Sequence, residues 1–208
     1  MTAPLTTADA AALSRCIDGG GLALFPADTV YGLATHPESA AGLRRLHELK
    51  GRPPERPSAV MFFTLERALE ALSELGPRTR GAVERLLPGP FTLLVPNPGR
   101  RFPLASGPVP ERLGVRVPAL GEALAALGTV GSPVLQSSAN PSGGPDARRL
   151  GDVDPAIRSG VDVELDAGEL PGVASTVVDL CRFELEGRFS VVREGAVTAR
   201  AVQNALIG

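Results

Sequence analysis

Tryptophan is absent from the 208-residue sequence, and aromatic residues make up only 4% of it. Because 43% of the residues are nonetheless hydrophobic, the core must be built mainly from leucine, valine, alanine and isoleucine. Cysteine and histidine are scarce too: Cys16, Cys181, His36 and His47 stand far apart and fit no metal-ligand spacing. These absences predict reduced thiols and no protein-bound metal site.

Charge of either sign is not in excess, since the formal net charge is −2. This excludes the global basic field of a dedicated nucleic-acid binder, although a local basic cleft remains open. The longest mostly apolar stretch, Leu120–Leu135, is interrupted by Glu122 and by several glycines, which argues against a membrane span. Residues Met1–Leu5 lack the basic and apolar regions of a secretory signal, so the sequence predicts a cytoplasmic protein.

Lysine is almost missing, because Lys50 is the only one among 21 basic residues. An ammonium is a compact point charge, whereas a guanidinium is a planar fork, so the two cations are not equivalent in a binding site. Lys50 is either a position that needs the ammonium or a surface residue retained by chance. Composition alone leaves both readings open.

Helical and strand-like segments alternate along the chain and predict an α/β fold. Apolar spacing predicts a helix over Thr7–Asp18, and the short apolar run Leu22–Phe25 predicts a buried strand that opens into the loop Ala27–Gly32. Thr176–Leu180 and Phe189–Arg193 are predicted to pair as antiparallel strands, which would make the sheet mixed.

Three other segments complete the outline. Leu120–Leu127 is predicted to be a helix, and Asn97–Leu113 a long connection without periodicity. The segment Lys50–Pro57 is rich in proline and must form a stiff, cationic loop. No internal repeat or interdomain linker appears, so residues 1–208 are predicted to form one domain.

Polar side chains follow several of the predicted strands. In open α/β sheets, ligands bind where loops leave the strand ends. Taken singly, each of these residues is better explained as a turn former or a solvent-facing charge. Together, however, cations with hydroxyl and amide donors describe a site for a polyanion such as a nucleoside triphosphate. The sequence contains no Walker-type phosphate loop, so ATP would bind without one.

Seven short motifs occur in order from about residue 20 to residue 196. They are P-A-D-T-V-Y-G-L at 26–33, K-G-R-P at 50–53 with Pro57, P-G-P-F-T at 88–92, V-R-V-P at 115–118, S-A-N-P-S-G at 138–143, S-T-V-V-D at 175–179 and R-E-G-A at 193–196. The set resembles the motifs of the YrdC/Sua5-like threonylcarbamoyl-AMP synthase family. Any one of them alone is a weak signal, but the ordered series is highly specific.

The resemblance implies a twisted, open mixed sheet with flanking helices around a wide, positively charged cavity. It also implies an adenylyl-transfer reaction in which L-threonine, bicarbonate and ATP give threonylcarbamoyl-AMP and pyrophosphate. The product is the precursor of threonylcarbamoyladenosine in tRNA, and a separate tRNA transferase complex would use it. Mg²⁺ is expected to be carried by the nucleotide.

The chain departs from the family pattern in two places. Ala27 stands where the first motif usually has threonine, so a hydroxyl contact from that position is not expected. The chain also ends at Gly208, without the C-terminal domain of longer members, which predicts the short, single-domain form.

Roles for individual residues follow from matching these motifs and from charge. The predicted catalytic residues are Lys50, Arg52, Ser138 and Asn140. The predicted ATP-binding residues are Arg52, Arg56, Ser138, Asn140 and Arg193. The predicted threonine-binding residues are Thr29, Tyr31, Arg116 and Ser175. Arg116 is suited to the amino-acid carboxylate because a guanidinium can pair with it in bidentate fashion.

Three alternatives remain. A basic RNA-binding module is opposed by the net charge and by the lack of aromatic residues among the basic ones; weak, local tRNA binding is still compatible. The carbamoyl-transfer part of a hydrogenase maturation factor would need an acylphosphatase-like part and cysteine-rich motifs, which this sequence lacks. A relative that kept the fold but lost the activity is the third.

Overall fold

The computed structural model describes residues 3–207, so Met1, Thr2 and Gly208, on which the predictions about the chain ends partly rest, lie outside it. The helices are α1 Thr7–Asp18, α2 Ala40–Lys50, α3 Leu65–Ala71, α4 Pro77–Leu86, α5 Pro103–Ser106, α6 Pro155–Ser159, α7 Phe183–Glu186 and α8 Ala199–Ile207. The strands are β1 Ala23–Pro26, β2 Tyr31–Thr35, β3 Ala59–Met61, β4 Phe91–Pro96, β5 Arg112–Arg116, β6 Val134–Ser138, β7 Val163–Glu164, β8 Thr176–Asp179 and β9 Ser190–Arg193.

Side-chain caps define where α1, α2 and α3 begin. The Thr6 hydroxyl accepts from the backbone N–H of Asp9, whose carboxylate accepts from the Thr6 N–H in return, so α1 starts with a complete capping box. Ser39 caps α2 and Thr64 caps α3 more simply, each through a hydroxyl that accepts from the backbone N–H three residues later. The helix predicted over Thr7–Asp18 is confirmed with the same bounds.

One mixed sheet runs through the described residues in the order β7-β1-β2-β6-β3-β5-β4-β8-β9. Strand β1 pairs in parallel with β7, β3 with β5, and β4 with β8, while the remaining neighbours are antiparallel. The predicted antiparallel pair near the end of the chain is confirmed as β8 and β9. The predicted mixed α/β sheet with flanking helices is therefore confirmed.

Alternate residues of the strands point to opposite faces of the sheet and pack in two separate cores, because side chains alternate along a strand. On β1, Leu24 belongs to the first core and Phe25 to the second; on β3, Val60 and Met61 divide in the same way. The first core also receives residues of α2, α3, α4 and α8. The second core receives residues of α1 and of the 3₁₀ segment Glu122–Thr129. Both faces of the sheet thus carry helices.

Three predicted segments differ from the structure. The loop predicted over Ala27–Gly32 contains the start of β2, because residues 31–35 pair with β1 on one side and β6 on the other. The helix predicted over Leu120–Leu127 is the 3₁₀ segment Glu122–Thr129. The aperiodic segment Asn97–Leu113 includes the short α5 and the first residues of β5. Sheet pairing, which local spacing does not encode, decides the first of these.

Among residues 3–207, no helix has both the length and the apolar character needed to span a bilayer.

Candidate active site

A polar cleft lies on the face of the sheet that carries the second core. It lies over the part of that face that α1 does not cover. Strand alternation turns Thr92, Arg116, Gln136 and Val177 to this face, because their strand neighbours Leu93, Val115, Leu135 and Val178 all enter the first core. The cleft encloses about 210 Å³. Its wall includes six polar residues from the sequence motifs, Arg52, Thr92, Arg116, Ser138, Ser175 and Arg193, and also Ser137, which precedes the fifth motif.

Arg116 lines the cleft and pairs with a buried carboxylate that lies beneath it. Its Nη2 donates to Asp28 Oδ1 at 2.8 Å, and the two side chains are only 4% and 5% exposed. The other oxygen of Asp28 accepts from the backbone N–H of Ala119 at 3.1 Å. Burial raises the pKa of Asp28 and lowers the pKa of Arg116, while the opposite charge of each partner acts against both shifts.

Further contacts occupy most of the Arg116 guanidinium. Nη2 also donates to Thr29 Oγ1 at 3.1 Å, and Nη1 donates to Gln136 Oε1 at 3.3 Å. A guanidinium has five N–H donors; here three are engaged, and Nε is buried without a partner. The bidentate carboxylate contact predicted for Arg116 would therefore require one of these protein partners to move.

Lys50 lies directly behind the wall, at the last residue of α2. Its ammonium donates to the backbone carbonyls of Ser138 and Asn140 and, at 3.1 Å, to the Asn140 side-chain oxygen. The Asn140 amide nitrogen donates in turn to the carbonyl of Gly144 at 2.6 Å. Burial, and next the charge of Arg52, lower the pKa of Lys50 to about 8. The predicted catalytic residues Lys50, Ser138 and Asn140 are thus joined in one hydrogen-bonded cluster.

The proline-rich loop after α2 brings a second cation to the wall. Arg52 Nη1 donates to Ser137 Oγ at 2.9 Å, and Nη2 donates to the Pro57 carbonyl. Burial and the neighbouring charge of Arg56 lower the pKa of Arg52. Arg56 itself is exposed on the same loop. The loop therefore presents Arg52 in the wall of the cleft and an exposed Arg56 near enough to act on the charge of Arg52.

Ser175 and Arg193 meet on the other side of the cleft. The hydroxyls of Ser175 and Thr92 share a hydrogen bond of 2.8 Å, and Arg193 Nη2 donates to the Ser175 carbonyl at 2.8 Å. The turn after Arg193 is held by Thr176, whose hydroxyl accepts from the N–H of Gly195 and of Val197 and donates to the Val197 carbonyl. A fully buried threonine thus fixes the position of the exposed arginine.

The structure does not bring Tyr31 to this cleft. Its ring packs in the first core, and its hydroxyl donates to Asp166 Oδ1 at 2.8 Å while lying 2.9 Å from the Gly168 carbonyl. Burial and the Asp166 contact raise the pKa of the phenol. Thr29, by contrast, lies next to the cleft through its contact with Arg116. Ala27, at the position usually held by threonine, is fully buried in the second core.

Several polar residues of the site are absent from the set of site residues predicted from the sequence. Thr92, Gln136 and Asp146 also line the cleft, and Asp28 lies under it. Thr92 and Asp28 stand inside quoted motifs, so their positions were visible but their partners were not. Among residues 3–207, no group of three histidine, cysteine, aspartate or glutamate side chains is arranged to hold a metal.

The arginines and hydroxyls converge on an uncovered part of a mixed α/β sheet, and their chemistry suits a polyanion. The chain belongs to the Sua5/YciO/YrdC family, whose model, described as "Telomere recombination", matches residues 15–195.

Individual relatives agree with this family assignment. The chain is similar to a threonylcarbamoyl-AMP synthase of Chromohalobacter salexigens, with 36% identity over 178 residues, 83% of this chain and 91% of the relative. It is 31% identical over 162 residues to a threonylcarbamoyl-AMP synthase of Pyrococcus abyssi, covering 77% of this chain and 47% of the relative. Its fold is similar to the crystal structure of P. abyssi Sua5 complexed with L-threonine, with a TM-score of 0.81 and 26% identity.

The relatives differ in length. The match to the P. abyssi crystal structure covers 97% of this chain but 58% of that chain. The chain thus spans about half of the P. abyssi relative and nearly all of the C. salexigens one.

Proposed function

We propose that this protein is a threonylcarbamoyl-AMP synthase, which makes threonylcarbamoyl-AMP and pyrophosphate from L-threonine, bicarbonate and ATP. The observation that carries the proposal is the single cleft whose wall is shared by Arg52, Ser138, Arg193, Arg116 and Ser175. One set of these residues suits phosphates and the other suits an amino acid. Membership of the family and the names of its relatives support the same reaction.

Charge is the main obstacle to this reaction. The neutral threonine amine adds to bicarbonate with loss of water, or to dissolved carbon dioxide with loss of a proton. The resulting carbamate oxygen then attacks the α-phosphate of ATP, and pyrophosphate leaves. Both reactants are anions, so cations must offset their repulsion before proximity accelerates the step. Arg52, Arg193 and the exposed Arg56 have no carboxylate within ion-pair distance among residues 3–207, which suits them to phosphates.

In this proposal Lys50 supports the wall of the cleft and does not line it. Its ammonium holds the backbone of Ser138 and Asn140, and its charge lies beside the Ser138 side of the cleft. The Ser138 hydroxyl donates to the Asn140 side-chain oxygen, so moving Lys50 would move both residues. We therefore assign Lys50 a combined role, orienting the Ser138–Asn140 segment and adding positive charge at the reacting phosphate.

Threonine occupies the Arg116 and Ser175 side of the cleft in this proposal. Arg116 keeps one Nη1 hydrogen beyond its protein partners for the carboxylate, and the paired hydroxyls of Thr92 and Ser175 offer polar contacts. A crystal structure of P. abyssi Sua5 is a complex with L-threonine, which supports an amino-acid site in this fold.

ATP must extend beyond the enclosed part of the cleft. Its 210 Å³ is less than the roughly 300–1,000 Å³ of typical small-molecule pockets. The Arg52–Arg56 loop offers the surface for the rest of the nucleotide. Mg²⁺ fits as an ion carried by the phosphates, because Mg²⁺ keeps several waters and few protein ligands; Asp146 is the carboxylate in the wall that could reach it.

The domain organisation, the cellular compartment and the partners of the protein are also proposals. We infer that residues 1–208 act as one domain in the cytoplasm; one sheet unites strands from β1 to β9 along the chain. A separate tRNA transferase complex would consume the adenylate and form threonylcarbamoyladenosine. A net charge of −2 is consistent with only weak, local contact between this protein and tRNA.

One assay tests the reaction. Purified protein is incubated with ATP, Mg²⁺, bicarbonate and threonine, and the adenylate is identified by mass spectrometry alongside pyrophosphate release. Omitting threonine or bicarbonate should abolish both signals. Pyrophosphate release that is unchanged without threonine would rule the proposal out.

A further inference from the structure

We propose that Asp28 is a positioning residue for Arg116 that keeps the amino-acid side of the cleft selective for a zwitterion over phosphate. The inference rests on the proposed function, since it concerns the threonine subsite of the same cleft. It assigns a role to a carboxylate that does not line the cleft.

The contacts of Asp28 leave it little freedom. Oδ1 accepts from Arg116 Nη2 at 2.8 Å and Oδ2 accepts from the Ala119 N–H at 3.1 Å. The side chain is 5% exposed. A carboxylate held at both oxygens and shielded from water has one orientation, and it imposes that orientation on its partner.

The loop that carries Asp28 is fixed as well. The N–H of Ala27 donates to the Val30 carbonyl at 3.3 Å across the turn between β1 and β2, and the N–H of Gly172 donates to the Thr29 carbonyl at 2.9 Å. Thr29 adds its hydroxyl to the same guanidinium. The turn between β1 and β2 is thus held in place by hydrogen bonds to the rest of the protein, and it orients Arg116 before any ligand binds.

The charges of the cleft are unequal as a result. Arg116 is neutralised by Asp28, whereas Arg52 and Arg193 have no carboxylate within ion-pair distance in the described part of the chain. A phosphate dianion is attracted to the two uncompensated arginines, and the Asp28 carboxylate repels it from the third. A threonine zwitterion carries one negative charge instead of two, and its ammonium offsets that charge, so it meets less repulsion than a phosphate dianion does. Asp28 thus separates two kinds of ligand within one cleft.

The experiment measures the threonine dissociation constant by calorimetry, without turnover, at increasing concentrations of inorganic phosphate. In the wild type, phosphate should leave threonine affinity unchanged, since the Asp28 carboxylate keeps phosphate away from Arg116. In Asp28→Asn, threonine should bind at least roughly tenfold more weakly, because a charge-assisted contact that orients Arg116 is lost. Phosphate should now compete with it. Asp28→Glu, which keeps the charge, should remain insensitive to phosphate.

Asp162→Asn is the matched control. Asp162 also accepts from an arginine, Arg45 at 2.8 Å, and from a backbone N–H, that of Leu22, but it lies outside the cleft wall. This variant should bind threonine as the wild type does, with or without phosphate. Thermal unfolding of each variant shows whether it is folded, and Asp28→Ser replaces Asp28→Asn should the latter not fold.

The outcomes separate the two proposals. A wild type that binds no threonine contradicts the proposed function. A wild type that binds threonine, with a folded Asp28→Asn or Asp28→Ser variant whose threonine affinity is as insensitive to phosphate as the wild type's, overturns the role of Asp28. Equal weakening of threonine by phosphate in the wild type and the variant overturns it too.

Discussion

The Lys50 ammonium lies 2.6 Å from the backbone carbonyl oxygen of Asn140 and 3.1 Å from its side-chain oxygen. The only lysine of the chain therefore joins the end of α2 to the segment that follows β6, 90 residues later. Of the two readings that composition left open, the structure excludes a solvated surface charge, because Lys50 is 3% exposed.

Substitution of Lys50 should reduce turnover more than it reduces ATP affinity. Lys50→Arg should lose at least roughly tenfold in turnover, about 1.4 kcal/mol, because a forked guanidinium cannot reproduce three contacts made by one nitrogen. Lys50→Ala should lose more. Adenylate formation measures the effect, and Arg15→Ala on the exposed side of α1 serves as the control. Full activity in a stable Lys50→Ala protein would remove Lys50 from the catalytic set.

The buried ammonium should also make stability depend on pH. The pKa of Lys50 is about 8 in the folded protein against an ordinary 10.5, so between these values the unfolded chain binds the additional proton. The free energy of unfolding of the wild type relative to Lys50→Met should therefore rise with pH across this window, by up to about 1.4 kcal/mol per pH unit. Chemical denaturation from pH 7 upward measures the difference. A difference that stays flat would mean that the three oxygen acceptors keep the folded-state pKa near its ordinary value.

Removal of the Arg116 side chain should affect stability and threonine binding together. Arg116→Ala leaves Asp28 buried without its partner, at a cost of about 3–5 kcal/mol in the free energy of unfolding. The Michaelis constant for threonine should rise more than that for ATP. The control is Arg45→Ala, which breaks an ion pair that is 42% and 46% exposed and should cost less than about 1 kcal/mol. A larger rise for ATP would move Arg116 to the nucleotide side of the cleft.

Thr176 offers a test of how Arg193 is positioned. Thr176→Val should lower the free energy of unfolding by about 1–3 kcal/mol, because three hydrogen bonds to Gly195 and Val197 lose their hydroxyl partner. ATP affinity should fall with it, since the turn follows Arg193. Thr176→Ser keeps the hydroxyl and should restore both. If Thr176→Ser and Thr176→Val bind ATP equally well, Arg193 does not depend on this turn.

Binding of tRNA by the protein alone should be weak and should fall steeply with salt concentration. The reason is that phosphate contacts from a few local cations release counterions without reading sequence. Filter binding or anisotropy at several salt concentrations measures it. Sequence-specific nanomolar binding at physiological salt would favour the RNA-binding module instead.

Interactions between residues close in sequence determined several of the secondary-structure elements of this protein. The capping residues Thr6 and Thr64 and the apolar spacing of α1 fix where helices begin, since these interactions join residues only a few positions apart. The late strand pair β8 and β9 was predictable for the same reason. The ordered motifs gave the family, and they contain both Asp28 and Arg116.

Contacts between distant residues were decided only by the tertiary structure. Tyr31 stands two positions from Thr29, but β2 pairing turns its ring into the first core while Thr29 meets Arg116. Nothing in the local sequence indicates that Asp28 meets a guanidinium 88 residues away or that Lys50 meets the carbonyls of β6 and the loop beyond. The sequence determines which charged and polar groups the protein has. The order of strands in the sheet determines which of these groups lie close together in a buried site. It therefore also determines which charges are paired within the protein and which are left for substrates.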